Sequence, residues 1–246
     1  MKHSLALPLA EHIKAPKRTP LELSFPRYAL RFPGASDNKI ELSYLGDFTT
    51  ELTVIMILRK YGFTGSAEAI IYNGVVSDSN VNFIIYIDVD NYLRLSSKSA
   101  GAWDSAISSK KVFADGRFHV YVIRYLNGTV EFVFDFKSAG SDTTYSSLPS
   151  SDTKKSRIAL STGDGIPFLG DIAFLTVYSK YLSDYSIRKI VLNIYNIPKD
   201  GLVLHYVDFI LPDASKIFDL SPSGNDGLVY SASRINVRKW EIREVL

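Results

Sequence analysis

The chain has 246 residues, a formal net charge of +2 and no cysteine. This length accommodates one large all-β domain or two small domains. The absence of cysteine excludes disulfides and thiolate metal sites. The nearly balanced charge argues against a nucleic-acid partner. No run approaches the roughly 20 apolar residues of a membrane-spanning helix, so no membrane partner is expected.

The composition is poor in heat-labile residues. Glutamine is absent, and methionine occurs only at Met1 and Met56. Such depletion beside many lysines, arginines and tyrosines predicts a thermophilic source. Cooperative melting above about 60 °C, the upper range of mesophilic domains, is therefore expected.

The N-terminal segment, residues 1–24, contains three prolines and no clear periodicity. Proline removes ladder donors and breaks helices, so we predict an extended arm. Its first residues superficially resemble a signal peptide, but the apolar stretch is short, contains Pro8 and runs directly into Glu11. We interpret it as part of the mature protein. The arm could add a strand to a neighbouring subunit, and the alternative is simple disorder.

From Phe25 onward, short apolar runs alternate with turn residues. The runs are rich in β-branched and aromatic residues, as strands are. They span Tyr28–Phe32, Glu51–Leu58, Val81–Ile87, Tyr92–Leu95, Phe118–Leu126, Val130–Phe136, Arg157–Leu160 and Asp171–Tyr178. Many strands at this spacing predict a β-sandwich or barrel.

The strongest local signal is Asn127-Gly128, which separates two of these runs. This pair tolerates the positive φ angles of a type I′ turn and so predicts a hairpin. In the second strand, alternation predicts one apolar face and one outward face. The apolar set is Val130, Phe132, Phe134 and Phe136, and the outward set is Glu131 and Asp135.

One helix is predicted, over residues 183–194. Ser183 and Asp184 can cap its start, and Ile187, Ile190 and Val191 recur at helical spacing. The tail, residues 198–246, contains another strand-like run and is predicted to pack onto the sandwich. The alternative is that it begins an incomplete second unit. An isolated pair of strands is marginally stable, which favours the first interpretation.

Several stretches match one known family in the expected order. They are Tyr28–Gly34 with the following Asp37 and Asn38, Asp47–Leu52, Asp115–Val120, and Phe168–Ala173. Over roughly residues 25–195 the chain resembles the laminin G-like, concanavalin A-like jelly-roll family. The resemblance implies an all-β, two-sheet antiparallel jelly-roll sandwich over residues 25–197, with one short helix and the N-terminal arm outside it.

The resemblance also implies candidate binding residues, because such folds often hold calcium and ligands in rim loops. The oxygen-bearing candidates for calcium are Asp37, Asn38, Asp164 and Asp171. Trp103 and Tyr145 could stack on a sugar. The alternative is that these loop aspartates only stabilise turns.

An enzyme was considered because the superfamily includes glycoside hydrolases, which use two carboxylates about 5–9.5 Å apart. Their Glu-x-Asp-x-x-Glu motif is absent here. Glu131 and Asp135, four residues apart on one strand, would be roughly 13 Å apart. The histidines are isolated in sequence, and no Gly-x-Ser-x-Gly elbow occurs. We therefore predict a non-catalytic protein.

Two functional classes follow. The first is a structural or assembly protein, such as a virion or surface-filament component at the virion or extracellular surface, that self-associates through the arm. The alternative is a carbohydrate-binding or adhesion module acting through rim loops, with or without calcium. A glycoside hydrolase is the least favoured.

Overall fold

The computed structural model describes residues 26–35, 37–159, 167–207 and 215–237. The predicted arm, residues 1–24, and the predicted calcium ligand Asp164 lie outside these ranges. The described residues form β1 (Tyr28–Pro33), β2 (Lys39–Leu42), β3 (Glu51–Arg59), β4 (Glu68–Asn73), β5 (Val81–Ile87), β6 (Tyr92–Ser99), β7 (Ala102–Lys111), β8 (Phe118–Leu126), β9 (Thr129–Phe134), β10 (Lys137–Asp142), β11 (Ser156–Ile158), β12 (Leu169–Tyr178), α1 (Asp184–Leu192), β13 (Leu202–Val207), β14 (Lys216–Ile217), β15 (Gly227–Tyr230) and β16 (Ser233–Asn236).

The strands form two eight-stranded antiparallel sheets. The first sheet has the order β10-β9-β8-β3-β12-β1-β16, and β13 also pairs with β12. The second sheet has the order β14-β15-β2-β11-β4-β5-β6-β7. The predicted all-β jelly-roll sandwich is therefore confirmed. Its main core lies between the sheets and includes Phe32, Leu58, Phe83, Leu95 and Tyr121, all nearly or fully buried.

The helix covers the outer face of the first sheet. It begins after the predicted cap Ser183, whose side chain accepts a hydrogen bond from the Ser186 amide. Ile187, Ile190 and Val191 are buried in a second apolar cluster together with residues of β3, β8 and β12. The central strands of this sheet are therefore buried on both faces. The predicted helix is confirmed, ending two residues before its predicted end.

The predicted hairpin is confirmed at Asn127-Gly128, whose φ angles are 44° and 90°. Its second strand, however, ends at Phe134 rather than at Phe136. Asp135 and Phe136 adopt φ angles of 46° and 60° and form the tight turn into β10. Phe136 consequently packs against the cluster outside the first sheet rather than on the predicted face.

The C-terminal strands belong to both sheets. β13 pairs with β12 and β16 pairs with β1, while β14 and β15 extend the second sheet beside β2. Leu204, Tyr206, Ile217 and Val229 are buried in the main core between the sheets. The described part of the tail thus shares the hydrophobic core of the strands that precede it.

Candidate ligand-binding face

The two sheets differ in what covers their outer sides. Helix α1 packs on the first sheet, whereas among the described residues no helix packs on the second. We call the outer side of β5, β6 and β7 the open face. Its side chains include Tyr86, Arg94, Ser96, Lys98, Trp103, Ser105 and Ile107.

Strand register brings these residues together. Lys98 pairs with Trp103, Ser96 with Ser105, and Arg94 with Ile107, while the alternate residues of β6 and β7 enter the main core. Successive side chains in a strand point to opposite faces, so these three pairs share the outer side. The register follows from the two-residue turn Ala100-Gly101, which has positive φ angles of 49° and 86°.

Trp103 lies near the end of this hairpin with 45% of its surface exposed. The Lys98 Nζ atom lies 5.5 Å from the centre of the indole ring. The same Nζ donates a hydrogen bond of 3.1 Å to the Val76 carbonyl oxygen. This cation–π contact holds the indole beside the β4–β5 loop and leaves much of it open to solvent.

Polar groups adjoin the indole on the same face. The Ser96 and Ser105 hydroxyl oxygens are 2.6 Å apart, and the Tyr86 hydroxyl lies 3.4 Å from Ser96. Arg94 Nε donates to Asp88 at 2.5 Å, which fixes the guanidinium at the far end of the row. A flat apolar ring beside oriented hydroxyls and cations can stack on a ligand ring and hydrogen-bond its substituents.

Two predicted calcium ligands stabilise a turn instead. Asn38 accepts a hydrogen bond from the Ala35 amide at 2.8 Å and donates one to the Ser231 carbonyl oxygen at 2.5 Å. Asp37 accepts a hydrogen bond from the Ser231 hydroxyl at 2.7 Å. These contacts join the β1–β2 turn to the turn before β16. They match the alternative interpretation, in which loop residues organise turns.

Asp171, another residue predicted to bind calcium, pairs with two arginines in the structure. Its side chain is fully buried, and Arg31 Nε and Arg59 Nε donate to its two oxygens at 3.0 and 2.8 Å. The Tyr61 hydroxyl also donates to Asp171 at 2.5 Å. Burial, and then this carboxylate, raise the pKa of Tyr61, which keeps the phenol protonated. Within the described ranges, no three acidic or histidine side chains gather as a metal site.

Tyr145, predicted to stack on a sugar, is buried in the structure. Tyr145 is only 3% exposed, and its ring packs edge-on against Tyr125 with centroids 6.0 Å apart. The segment after β10 folds into the sandwich edge, where the Ser146 amide donates to Asp104 at 2.6 Å. Burial raises the pKa of the Tyr145 phenol. Its ring thus belongs to the core, unlike that of Trp103.

Comparison with known proteins agrees with this architecture. The profile of the concanavalin A-like lectin/glucanases superfamily matches residues 34–188, well over half of the chain. The chain belongs to this superfamily. The family resemblance inferred from the short motifs is thereby confirmed. A search of curated proteins found no match.

Solved structures with this fold share little sequence with the chain. A proposed carbohydrate-binding protein from Bacteroides ovatus matches with a TM-score of 0.66 at 15% identity, covering 87% of this chain and 61% of that one. A heptameric SAP-like pentraxin from Limulus polyphemus matches with a TM-score of 0.54 at 12% identity, covering 87% and 95%. Domains LG4-5 of the mouse laminin α1 chain match with a TM-score of 0.51 at 14% identity, covering 66% and 45%. The chain therefore spans less than two thirds of the first protein, and these likenesses show the fold alone.

Because the superfamily includes hydrolases, the contacts of Glu131 and Asp135 are relevant. Glu131 forms an ion pair with Arg124 at 2.7 Å and accepts a hydrogen bond from the Tyr181 hydroxyl at 2.6 Å. Asp135 accepts a hydrogen bond from the Val120 amide at 2.9 Å. Both carboxylates are engaged in contacts that hold neighbouring strands and loops together.

No described helix is long and apolar enough to cross a membrane.

The two described histidines have opposite electrostatic surroundings. His119 lies between Asp135, 2.7 Å from Nδ1, and Asp115, 3.0 Å from Nε2. Burial lowers the pKa of His119, but the two carboxylates together outweigh burial and raise it. Burial lowers the pKa of His205 to about 4, and its Nε2 lies 2.8 Å from the Ile194 carbonyl oxygen. Both histidines are thus engaged in contacts with neighbouring strands and loops.

The free energy of unfolding should therefore decrease on both sides of the ordinary histidine pKa of about 6.5. The contribution of His119 is complete below that pH and is lost as pH rises through its raised pKa. The contribution of His205 is complete above that pH and is lost as pH falls towards about 4. Urea midpoints of unfolding should be measured from pH 4 to 9 for the wild type and for His119→Gln. The midpoint should decrease above pH 6.5 in the wild type and not in the variant. An unchanged alkaline slope in this variant would contradict the assignment.

Sequence inspection identified Trp103 but missed its neighbours on the open face. Tyr86 and Arg94 sit in predicted strand runs and Lys98 lies just beyond one, at positions where a polar residue ordinarily indicates only a solvated side. The sequence feature that could have predicted these neighbours is the Ala100-Gly101 turn, which sets the pairing of β6 with β7. Applied to that turn, the hairpin rule would have placed Lys98 opposite Trp103.

Proposed function

We propose that this protein is a non-catalytic carbohydrate-binding module whose glycan lies across the open face and stacks on Trp103. The observation that carries the proposal is the half-exposed indole beside a hydrogen-bonding row, on the sheet face that no described helix covers. Sugars present apolar C–H faces and hydroxyl rims, which such a surface complements. The structural likeness to a proposed carbohydrate-binding protein agrees with this function at the level of fold.

A glycan array followed by calorimetry on the best ligand tests this function. Trp103→Ala should weaken binding about 30-fold, because a central aromatic anchor contributes about 2 kcal/mol or more. The matched control is Tyr185→Ala, which removes a 70% exposed aromatic ring from α1, on the opposite sheet. Equal affinity of the Trp103 variant and the wild type, or no binding across the array, would refute the proposal.

Calcium should have no part in binding at this face. Asp88 is the acidic residue beside the described row, and Arg94 already pairs with it. Hard cations require several oxygen ligands, which this arrangement does not supply. Affinity for the best glycan should be the same in EDTA as in calcium, and a loss in EDTA would move the site to a rim loop.

A second candidate function is self-assembly, as a component of a virion or of an extracellular surface filament. It rests on the predicted arm and on exposed apolar side chains of the C-terminal segment. Phe218, Leu220, Leu228 and Tyr230 are 48%, 46%, 51% and 39% exposed. Leu228 and Tyr230 share one side of β15 and would pack against a second copy of this chain.

Light scattering after gel filtration tests assembly on the full chain, on a variant lacking residues 1–24, and on Leu228→Ser. Oligomers of the full chain that become folded monomers after arm removal would support assembly through the arm. Dissociation by Leu228→Ser alone would assign the contact to β15. A monomeric full chain would refute self-assembly.

A further inference from the structure

A groove lies on the first sheet, whereas the open face belongs to the second sheet. The groove has a volume of about 350 Å³ and is lined by Arg31, Phe32, Pro33, Tyr61 and Leu169. Arg31 and Pro33 belong to β1, Tyr61 follows β3, and Leu169 begins β12. Adjacent strands of one sheet therefore hold the lining residues, which gives the groove a rigid base.

Arg31 is the cation of this groove, with 43% of its side chain exposed. Its Nε donates to Asp171 at 3.0 Å, and its Nη2 donates to the Tyr61 hydroxyl at 2.6 Å. None of the described residues accepts a hydrogen bond from its Nη1. The guanidinium is thus fixed in orientation and keeps donors for a ligand.

Asp171 does not use all the hydrogen-bond donors of Arg31. The Oδ2 atom of Asp171 receives hydrogen bonds from Arg59 Nε at 2.8 Å and from the Tyr61 hydroxyl at 2.5 Å. The Arg31 Nη2 atom is 3.4 Å from that oxygen, a long contact. The buried carboxylate therefore orients Arg31 mainly through Nε. A guanidinium held in this way suits a second carboxylate, which can accept charge-assisted hydrogen bonds from Nη1.

The rest of the groove is apolar and small. The Tyr61 ring is 48% exposed, and the Arg31 and Arg59 guanidinium carbons each lie 5.2 Å from its centre. Leu169 and Pro33 complete the wall. A volume near 350 Å³ is at the lower end for small-ligand sites and admits a body the size of one sugar ring.

We propose that this groove binds a carboxylated monosaccharide unit, with the carboxylate on Arg31 and the apolar ring face on Tyr61. Uronic acids and sialic acids share this chemistry. The site is separate from the Trp103 face, because the two lie on different sheets. The inference does not depend on the proposed function, since either site could bind ligand without the other.

Calorimetry with sodium glucuronate and with N-acetylneuraminate, against glucose as the uncharged control, tests the groove. The carboxylated sugars should bind and glucose should not. Whichever of the two acids binds more tightly shows whether the natural ligand unit is a uronic acid or a sialic acid. Arg31→Gln should weaken binding at least about tenfold, since a hydrogen bond to a charged group is lost. The control is Lys216→Gln, which removes a cation of similar exposure, 44%, at the far edge of the second sheet.

Two further measurements keep the test decisive. Arg31→Lys retains the charge but not the planar fork, so its affinity should lie between those of wild type and Arg31→Gln. In the unmodified protein, the Tyr61 ring resonances should shift during titration with the carboxylated sugar. Unshifted Tyr61 resonances, equal binding of glucose, or full affinity in Arg31→Gln would overturn the inference. Trp103→Ala should leave glucuronate binding unchanged, which separates this result from the proposed function.

Discussion

Removal of residues 200–246 should abolish cooperative folding of the whole chain. The deletion takes away β13, β14, β15 and β16, which pair with strands of both sheets. It also removes Leu204, Tyr206, Ile217 and Val229 from the main core. Each large apolar side chain lost from a core costs about 2–5 kcal/mol, so the four together cost about 8–20 kcal/mol, as much as the whole stability of about 5–15 kcal/mol typical of a domain.

Thermal melting followed by circular dichroism measures this effect. The truncated chain should show no cooperative transition, whereas Leu204→Ala in the full chain should melt cooperatively at a lower temperature. A truncated chain that melts like the full chain would show that the tail is dispensable. The full-length curve also tests the predicted thermophilic source, which cooperative melting below about 60 °C would contradict.

Glu68→Gln should destabilise the protein by about 3–5 kcal/mol, because it leaves a buried ammonium group without its counter-charge. Lys60 and Glu68 form an ion pair with side chains 0% and 1% exposed. The Lys60 Nζ atom also donates to the Leu169 carbonyl oxygen at 2.5 Å. Burial lowers the pKa of Lys60, while Glu68 acts to raise it. Without the Glu68 carboxylate, no described counter-charge opposes the effect of burial on Lys60.

The double variant Lys60→Met with Glu68→Gln separates charge from shape. Glu68 also accepts hydrogen bonds from the Thr64 and Leu169 amides on its two different oxygens, and glutamine keeps an acceptor for one of these amides in both variants. The double variant should therefore regain much of the stability lost in Glu68→Gln, because no unpaired charge is buried. Urea unfolding measures the free energy of unfolding of both variants, and an unchanged m-value shows that the two are comparable. A double variant less stable than the single variant would show that packing, rather than charge, dominates at this site.

Local signals in the sequence predicted the fold well. The β-branched and aromatic runs marked most of the long strands, since a half-buried pleated surface favours those residue types. Asn127-Gly128 predicted a hairpin because few residue pairs adopt its backbone angles. Ser183 predicted the helix start because its hydroxyl can satisfy a free amide there. The arm and its role in assembly remain predictions, since they concern residues outside the described ranges.

The candidate sites were harder to predict because they depend on contacts between distant residues. Arg31 and Asp171 are 140 positions apart, and sequence spacing does not show that they meet. Asp171 therefore had the appearance of a loop ligand, although it is a buried counter-ion. Tyr145 and Trp103 are both aromatic residues in polar surroundings, yet one is 3% exposed and the other 45%.

By itself, the sequence determined the all-β class, most long strands, the hairpin turn and the helix, because these depend on backbone preferences and periodicity within short windows. The superfamily was inferred from the resemblance of short motifs to a known family. Tertiary structure alone decided which sheet face α1 covers and which face stays open. It also decided how the tail divides its strands between the sheets and which carboxylates have cationic partners. The alternation of side chains along a strand shows that the strand has two faces, but only packing determines what each face contacts.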